Sequence, residues 1–378
     1  MKANGDKSGT SLTDQAVAWL RERLPQGWNV DRSTNLDSDA LDTQGVQDVD
    51  STIVIKAPNG TYASAAVEER QSISPRAVVD LLPPLAQTVR TLSGNVPLLA
   101  VAPWLSKRTQ ELLAEQRINY IDMTGNSLLR LDNPTLYIQT QGSARNPAPK
   151  KRGRAQLRGA KAARLIRLLA DVRPPYGVRE LAAATNLAPG YVSRLLDTLY
   201  REALIERSPR GPVESVDVPG LLRRWANSYD VFKTNGAETF VAPAGIDRLL
   251  PRLVEDSGDG TRIAITGSFA AARLAPVASP TLLLAYCDSP SLLARDLDLL
   301  PADEGANVAL LRPFDSIVWE RTSIENGLRY AAPSQVVVDC LTGNGRMPAE
   351  GEAVLEWMQD NQDIWGLPSL EASKPGAP

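Results

Sequence analysis

Residues 178–217, VRELAAATNLAPGYVSRLLDTLYREALIERSPRGPVESVD, have the pattern of two short helices followed by a hairpin. Apolar residues recur at helical spacing up to Asn186, and Pro189 opens a second periodic run because proline suits the first turn of a helix. The apolar face of this second run consists of Val192, Leu195, Leu196 and Leu199. Two strand-like segments follow and are joined through Pro209-Arg210-Gly211, a sequence typical of a hairpin tip.

The opposite face of the second run carries short or hydrogen-bonding side chains that can reach base edges and phosphates in a major groove. The candidate DNA contacts are Tyr191, Ser193, Arg194 and Arg201, with Arg210 at the hairpin tip. This pattern resembles the winged helix-turn-helix domains of bacterial transcription regulators, which implies double-stranded DNA as the partner. Helix pairs with a short turn also occur as packing units, so an adaptor that binds protein through this domain is an alternative.

A block rich in Lys and Arg precedes these helices. Residues 145–170 contain nine cations and no acid, although the formal net charge of the chain is −3. Such a segregated positive block is expected of an arm that contacts phosphates, and a solvated linker is the alternative. The candidate phosphate contacts within it are Lys150, Lys151, Arg152, Arg154 and Arg158.

Composition limits the available chemistry. The chain has 378 residues, of which 43% are hydrophobic and 22% charged, so it is long enough for two or three globular domains. The absence of histidine removes Ser-His-Asp and Cys-His catalysis as well as histidine-ligated zinc. Cys287 and Cys340 are the two cysteines, which suits a reducing cytoplasm, and no apolar run is long enough to span a membrane. We expect a cytoplasmic, nucleoid-associated protein without cofactor or metal.

The chain before the basic block alternates helical and strand patterns. The order is helix, hairpin, helix, strand, helix, strands, which predicts a small α/β domain with a mixed sheet. Thr13 and Asp14 are the expected caps of the first helix. The acidic stretch that follows, up to Asp50, is expected to be partly a loop, and Asn59-Gly60 to form a tight hairpin turn.

This order resembles the restriction-endonuclease-like fold, in which a PD-(D/E)xK motif lies at the hairpin. The matching residues here are Asp50, Glu68 and Arg70. In active members two carboxylates hold a divalent cation and a lysine polarises the attacking water or the phosphate. Because arginine stands in the place of that lysine and Val49 in the place of the proline, we expect a scaffold that does not cut. A metal-dependent DNA nuclease using Asp50 and Glu68 is the alternative function.

Residues 262–287 have the pattern of a strand, a Gly267-Ser268 turn, a helix and a second strand. This resembles the opening of the nucleotidyltransferase fold, where a Gly-Ser turn binds nucleotide phosphates at a helix N-terminus. The next strand of an active member carries two alternating carboxylates for metal, whereas residues 281–286 are TLLLAY. We therefore expect no nucleotidyl transfer, and a turn with a helix cap at Gly267-Ser268 instead of a phosphate site.

Residues 330–341, YAAPSQVVVDCL, precede Gly345-Arg346 and a helical pattern over residues 350–358. These features resemble the C-terminal part of AbiEi-type antitoxins of type IV toxin-antitoxin systems. Members pair an N-terminal winged helix-turn-helix with a noncatalytic nucleotidyltransferase-like domain, repress their own operon and neutralise a nucleotidyltransferase toxin. The resemblance spans about residues 160–360, and it implies a cognate toxin, or another protein, as a second candidate partner. Two departures are the central position of the winged domain and the extra domain before it.

The sequence thus predicts an α/β and α+β multidomain protein in four parts. They are a noncatalytic restriction-endonuclease-like domain at 12–141, a basic linker or arm at 142–158, a winged helix-turn-helix at 159–230, and a nucleotidyltransferase-like, antitoxin-type domain at 231–365. The expected function is sequence-specific DNA binding in transcription regulation, with autorepression of the antitoxin kind and no enzymatic activity. A homodimer is the expected assembly.

Overall fold

The computed structural model describes residues 11–33, 51–93, 96–148, 157–209, 211–256 and 262–373. Six candidate site residues lie outside these ranges, namely Asp50, Lys150, Lys151, Arg152, Arg154 and Arg210. The chain divides into two compact units, Met1–Gly153 with Arg201–Ala203, and Arg154–Tyr200 with Leu204–Pro378. None of the helices within the described ranges has the length and hydropathy of a membrane span.

A seven-stranded mixed sheet in the order β1-β2-β3-β4-β5-β6-β7 forms the first unit. Its strands are β1 (Asn29–Ser33), β2 (Ser51–Lys56), β3 (Tyr62–Glu69), β4 (Leu98–Ala102), β5 (Asn119–Asp122), β6 (Ser127–Leu131) and β7 (Leu136–Thr140). Strands β3, β4 and β5 run parallel, and the other neighbours pair antiparallel. Its helices are α1 (Leu12–Arg21), α2 (Pro75–Asp80), α3 (Leu82–Ser93) and α4 (Lys107–Glu115). The predicted mixed α/β architecture is confirmed.

The central strand β4 of the sheet in the first unit is buried on both faces. Along β4, Leu98 and Ala100 belong to one apolar cluster, whereas Leu99 and Val101 belong to another. This alternation follows from the two-residue period of a strand, which sends successive side chains to opposite faces. A continuous apolar run such as LLAVA is therefore the pattern of a strand covered by helices on both sides.

Two local features of the first unit differ from the sequence-based expectation. The cap of α1 is Ser11, whose hydroxyl accepts the N–H of Asp14 at 3.1 Å, so the assignment of the cap to Thr13 and Asp14 was wrong. Thr13 is buried, and its hydroxyl donates to Glu69 at 2.9 Å. Strand β1 was not predicted, because this edge strand fully buries only Val30 and its other residues are polar.

The second unit contains a two-stranded sheet, β8-β9, and a seven-stranded sheet in the order β13-β10-β14-β12-β11-β16-β15. The strands are β8 (Ile205–Arg207), β9 (Val213–Val216), β10 (Gly236–Val241), β11 (Ile263–Thr266), β12 (Leu283–Cys287), β13 (Leu300–Pro301), β14 (Val308–Arg312), β15 (Ser323–Glu325) and β16 (Leu328–Tyr330). The helices are α5 (Gly159–Asp171), α6 (Val178–Thr185), α7 (Pro189–Arg201), α8 (Val218–Ala226), α9 (Val231–Thr234), α10 (Ile246–Asp256), α11 (Gly267–Leu274), α12 (Pro290–Asp296), α13 (Pro333–Leu341), α14 (Met347–Asp360) and α15 (Gln362–Trp365). Short 3-10 helices occur at Ser316–Trp319 and Glu371–Ser373.

One apolar core extends from the helices before the small sheet to the large sheet of the second unit. Helix α8 packs against α5 and also against α13, and it buries Leu221, Leu222 and Trp225. The helices around β8-β9 therefore share their core with the C-terminal sheet. The predicted domain boundary at residue 230 stays a prediction.

The expected strand, turn, helix and strand around Gly267-Ser268 are present as β11, α11 and β12. Gly267 has a φ of +62°, a backbone conformation that glycine adopts without the steric cost of a Cβ. Ser268 is buried in the first turn of α11, and its hydroxyl donates to Glu350 at 2.6 Å. The expectation of a helix cap at this turn was therefore wrong, because the Ser268 hydroxyl is used in a contact with α14.

Candidate nucleic-acid interface

The turn between α6 and α7 lies where the sequence pattern predicted it. Asn186 ends α6 in the left-handed conformation, with φ 53° and ψ 44°, which asparagine tolerates better than most residues. The N–H of Leu187 donates to the carbonyl of Ala182 at 3.0 Å and so closes the end of the helix. Helix α7 then begins at Pro189. The predicted break and the predicted second helix are both confirmed.

Helix α7 is fixed by its apolar face. The four residues predicted to form this face are buried, namely Val192, Leu195, Leu196 and Leu199. They belong to the same core as Leu165 and Ile166 of α5 and Leu181 of α6. The burial of four aliphatic side chains contributes at most roughly 6 to 12 kcal/mol to the stability of the fold. This burial determines which face of α7 is left to solvent.

The other face of α7 brings the predicted contacts together. Arg194 and Arg201 are exposed, while Tyr191 and Ser193 are half-buried. Neither arginine side chain forms a hydrogen bond or ion pair with any residue in the ranges described above. A Cβ added to Gly190 would stand 3.7 Å from Nη1 of Arg194, so the guanidinium lies across the first turn of the helix. Burial raises the pKa of Tyr191 and Arg194 opposes that rise, so at neutral pH the phenol keeps its proton and can donate.

Strands β8 and β9 form the predicted wing. Ile205 pairs with Val216, and a bulge follows Glu206. A third element joins them, because Tyr176 exchanges two backbone hydrogen bonds with Val213, of 3.3 and 2.9 Å. Arg207 of β8 forms an ion pair with Asp197 of α7 and so ties the wing to that helix. The Arg207 side chain is therefore used in a contact within the protein.

The basic block before α6 has two kinds of cation. Arg145 and Arg158 are exposed, as expected of an arm. Arg164 donates to Asp315 at 3.0 and 2.8 Å, and this contact is the main cause of its raised pKa. Arg167 is fully buried and pairs with Asp171 at 3.2 Å. Two of the nine cations counted in residues 145–170, Arg164 and Arg167, are therefore paired within the protein. For Arg167, the Asp four residues later is the sequence signal of this pairing.

The part of the chain that matches a known family runs from the start of α5 into the wing. Residues 160–209 match the IclR helix-turn-helix domain. The match covers the two helices of the predicted helix-turn-helix, the helix before them and strand β8. Comparison with curated proteins and with solved structures gives no match for this chain. The IclR-type helix-turn-helix supports a DNA-binding transcriptional regulator. The family that this domain model describes consists of DNA-binding regulators that are not enzymes.

Two exposed cations of the IclR-type domain were not among the predicted DNA contacts. Arg179 lies in the first turn of α6 and is exposed, and Lys161 is exposed in the first turn of α5. Both are placed where a helix presents free backbone N–H groups, which also favour anions. The sequence signal was a cation within the first turn of each predicted helix.

Two of the candidate nuclease residues, Glu68 and Arg70, form an ion pair with each other. Arg70 Nε lies 2.6 Å from Oε1 of Glu68, and the Glu68 side chain is almost fully buried. The guanidinium thus neutralises one of the two predicted metal-binding carboxylates, and Asp50 is outside the described residues. Among the residues whose placement is described, no three Cys, Asp or Glu side chains form a group that could hold a metal ion.

Proposed function

We propose that this chain is a sequence-specific transcriptional regulator in which α7 reads base edges in the major groove. The observation that carries the proposal is the exposed guanidinium of Arg194 on the solvent face of α7, opposite four buried aliphatic residues. An exposed arginine in the first turns of such a helix can donate two hydrogen bonds to a guanine edge. Gly190 leaves the space over which this side chain lies.

We divide the proposed DNA contacts around Arg194 into contacts with bases and contacts with phosphates. Tyr191 and Ser193, half-buried beside it, are proposed to bond bases or the nearest phosphates. Arg201, Arg210 of the wing and the cations of the arm are proposed to bind phosphates, which fix the register of the protein and carry no sequence information. The arm contributes Lys150, Lys151, Arg152, Arg154 and Arg158.

The biological role we propose is that of an autorepressing, antitoxin-like regulator, which acts as a homodimer in the cytoplasm and on the nucleoid. The support is the resemblance of residues 330–341 and of the helix after them to AbiEi-type antitoxins. These residues contribute to α13, and α14 follows it. The restriction-endonuclease-like and nucleotidyltransferase-like domains are proposed as scaffolds that provide dimer and partner contacts. A toxin-like reading frame beside the gene, whose toxicity is suppressed by coexpression of this chain, would support the role.

The test of DNA reading is selection of bound duplexes from a random pool, followed by footprinting on the selected site. We expect an enriched motif and a protected footprint whose affinity exceeds that for unrelated duplex by about 1,000-fold or more at physiological salt. A twofold-symmetric motif would support the homodimer. Equal affinity for all duplexes would contradict sequence-specific reading, and absence of duplex binding at low salt would favour the adaptor that binds protein.

A further inference from the structure

The C-terminal part of the described chain is hydrogen-bonded to the segment between α5 and α6. We refer to this segment, residues 172–177, as the connector. We refer to residues 362–370 as the strap. The N–H of Leu367 donates to the carbonyl of Asp171 at 2.8 Å, and the N–H of Arg173 donates to the carbonyl of Leu367 at 2.9 Å. These two bonds form a parallel bridge between Leu367 and Val172. The strap therefore adds a short strand-like segment beside the IclR-type domain.

The side chains of the strap fix it on both sides. Asp363 forms an ion pair with Arg173 of the connector. On the other side Trp365 donates its indole N–H to the carbonyl of Met358 at 2.7 Å. Trp365 and Leu367 are partly buried against the apolar core. The strap is thus held to the end of α14 and to the connector at once.

The same connector carries the wing. Tyr176 exchanges two backbone hydrogen bonds with Val213 of β9, and its side chain is buried. The hydroxyl of Tyr176 lies 3.3 Å from the carbonyl of Val172, the residue bridged to the strap. A continuous set of contacts therefore runs from Leu367 through Val172 and Tyr176 to Val213.

The start of the connector is anchored by buried charge. Asp171 is fully buried, accepts a hydrogen bond from Ser334 and pairs with Arg167 and Arg321. Because Ser334 and Arg321 belong to the C-terminal half of the chain, that half determines where the connector begins. The strap is hydrogen-bonded to Asp171 and Arg173, and the wing is hydrogen-bonded to Tyr176, three residues further along.

We propose that the strap positions the wing and thereby increases the affinity of the wing for DNA. The inference rests on the proposed function, because the wing is taken there as a DNA contact. It extends the DNA-binding unit far beyond the matched residues 160–209. The strap is bridged to Val172, and Tyr176 of the same connector is bridged to Val213 of the wing.

Two substitutions test this without touching the DNA-facing residues. Leu367→Pro removes the N–H that bonds Asp171. Gly366→Ala places a Cβ 2.7 Å from the carbonyl of Gln362, so the strap must shift. The matched control is Ile364→Ala in the same strap, because Ile364 is 74% exposed and its truncation leaves both bridging bonds intact.

Amide hydrogen exchange of the full chain is the first readout. We expect faster exchange in residues 205–216 and 172–176 for both strap variants, and wild-type exchange in α7 and in the control. Unchanged protection of the wing would overturn the proposal, as would equally faster exchange throughout α5 to α8, which would indicate general destabilisation. This readout needs no DNA, so it decides the role of the strap in positioning the wing even if the wild-type chain does not bind DNA.

The second readout is the Kd for the selected duplex. We expect the strap variants to raise Kd about 3- to 10-fold, the effect of removing one or two hydrogen bonds. If the strap acts through the wing, its effect should shrink when Arg210→Ala is already present, because residues that act through one contact are not additive. Fully additive effects would overturn the route through the wing, whereas no effect of any variant on Kd despite a loosened wing would overturn the grip on DNA.

Discussion

Arg194 is the residue on which the proposed reading of DNA depends most directly. Its guanidinium is exposed on α7 and forms no hydrogen bond or ion pair with another described residue. We expect Arg194→Ala to weaken binding of the selected duplex by about 1 to 3 kcal/mol and to relax the preference at one base pair. Arg295→Ala is the matched control, since Arg295 is an exposed arginine on α12. An unchanged binding isotherm for Arg194→Ala, with the circular dichroism spectrum intact, would remove this residue from the groove.

Asp339 gives a pH dependence of stability. Burial raises its pKa to about 6, although hydrogen bonds from Thr266, Tyr229, Gln335 and Tyr286 favour the ionised form. The folded state therefore binds this proton more tightly than the unfolded state, whose pKa is near 3.8. The resulting stabilisation is fully present below about pH 4 and is lost as pH rises to about 6, with a total change of about 3 kcal/mol.

Asp339→Asn should abolish this contribution. We expect the free energy of unfolding of wild type, minus that of the variant, to fall by up to about 3 kcal/mol between pH 4 and pH 6.5, as followed by urea unfolding. Asp360→Asn, an exposed change on α14, serves as the control. Parallel curves for wild type and Asp339→Asn would show that the buried carboxyl does not titrate in this window.

The basic arm is the element whose effect is electrostatic. If Lys150, Lys151, Arg152 and Arg154 bind phosphates, their replacement by Ala should weaken specific and nonspecific duplex alike. The slope of log K against log salt should become shallower by about 0.9 for each phosphate that the variant no longer neutralises, because neutralisation of a phosphate releases condensed counterions. A slope equal to that of wild type would show that this segment is a solvated linker.

At the same scale, the helix-turn-helix was predictable and several of its supports were not. Helix α7, the break at Asn186 and the wing follow from periodicity and from local backbone preferences, which act over a few residues. The pairing of Arg164 was not predictable from the positive block, because its partner Asp315 is distant in the sequence. Strand β1 was missed because an edge strand buries little, and its pairing with β2 is not a local property.

On the scale of the whole molecule, the first unit has a mixed α/β sheet, and one of the two candidate metal-binding carboxylates, Glu68, is paired with a cation. Glu68 is bound by Arg70 at 2.6 Å, and arginine stays protonated and cannot replace lysine in polarising water. We expect no cleavage of plasmid or single-stranded DNA with Mg²⁺ or Mn²⁺, and a modest loss of DNA affinity in Arg70→Ala. Nicking that disappears in both Asp50→Ala and Glu68→Ala would instead establish the nuclease.

The second unit should fold as one body, because the IclR-type domain does not bury its own core completely. Separation of a fragment at residue 230 would expose the part of α8 that packs on α13. It would also deprive Arg167 of Gln335, to which it donates at 2.9 Å, and Asp171 of Ser334.

Loss of a hydrogen bond to a charged group costs about 1.5 to 3 kcal/mol, a large part of the roughly 5 to 15 kcal/mol that stabilises a domain. We therefore expect a fragment of residues 154–230 to melt at a much lower temperature than the same residues in the full chain, as measured by circular dichroism and by exchange of the α7 amides. A fragment with the α7 protection of the full chain would contradict this dependence. It would also mean that the boundary predicted at residue 230 separates an independent DNA-binding domain, in which the strap could be dispensed with.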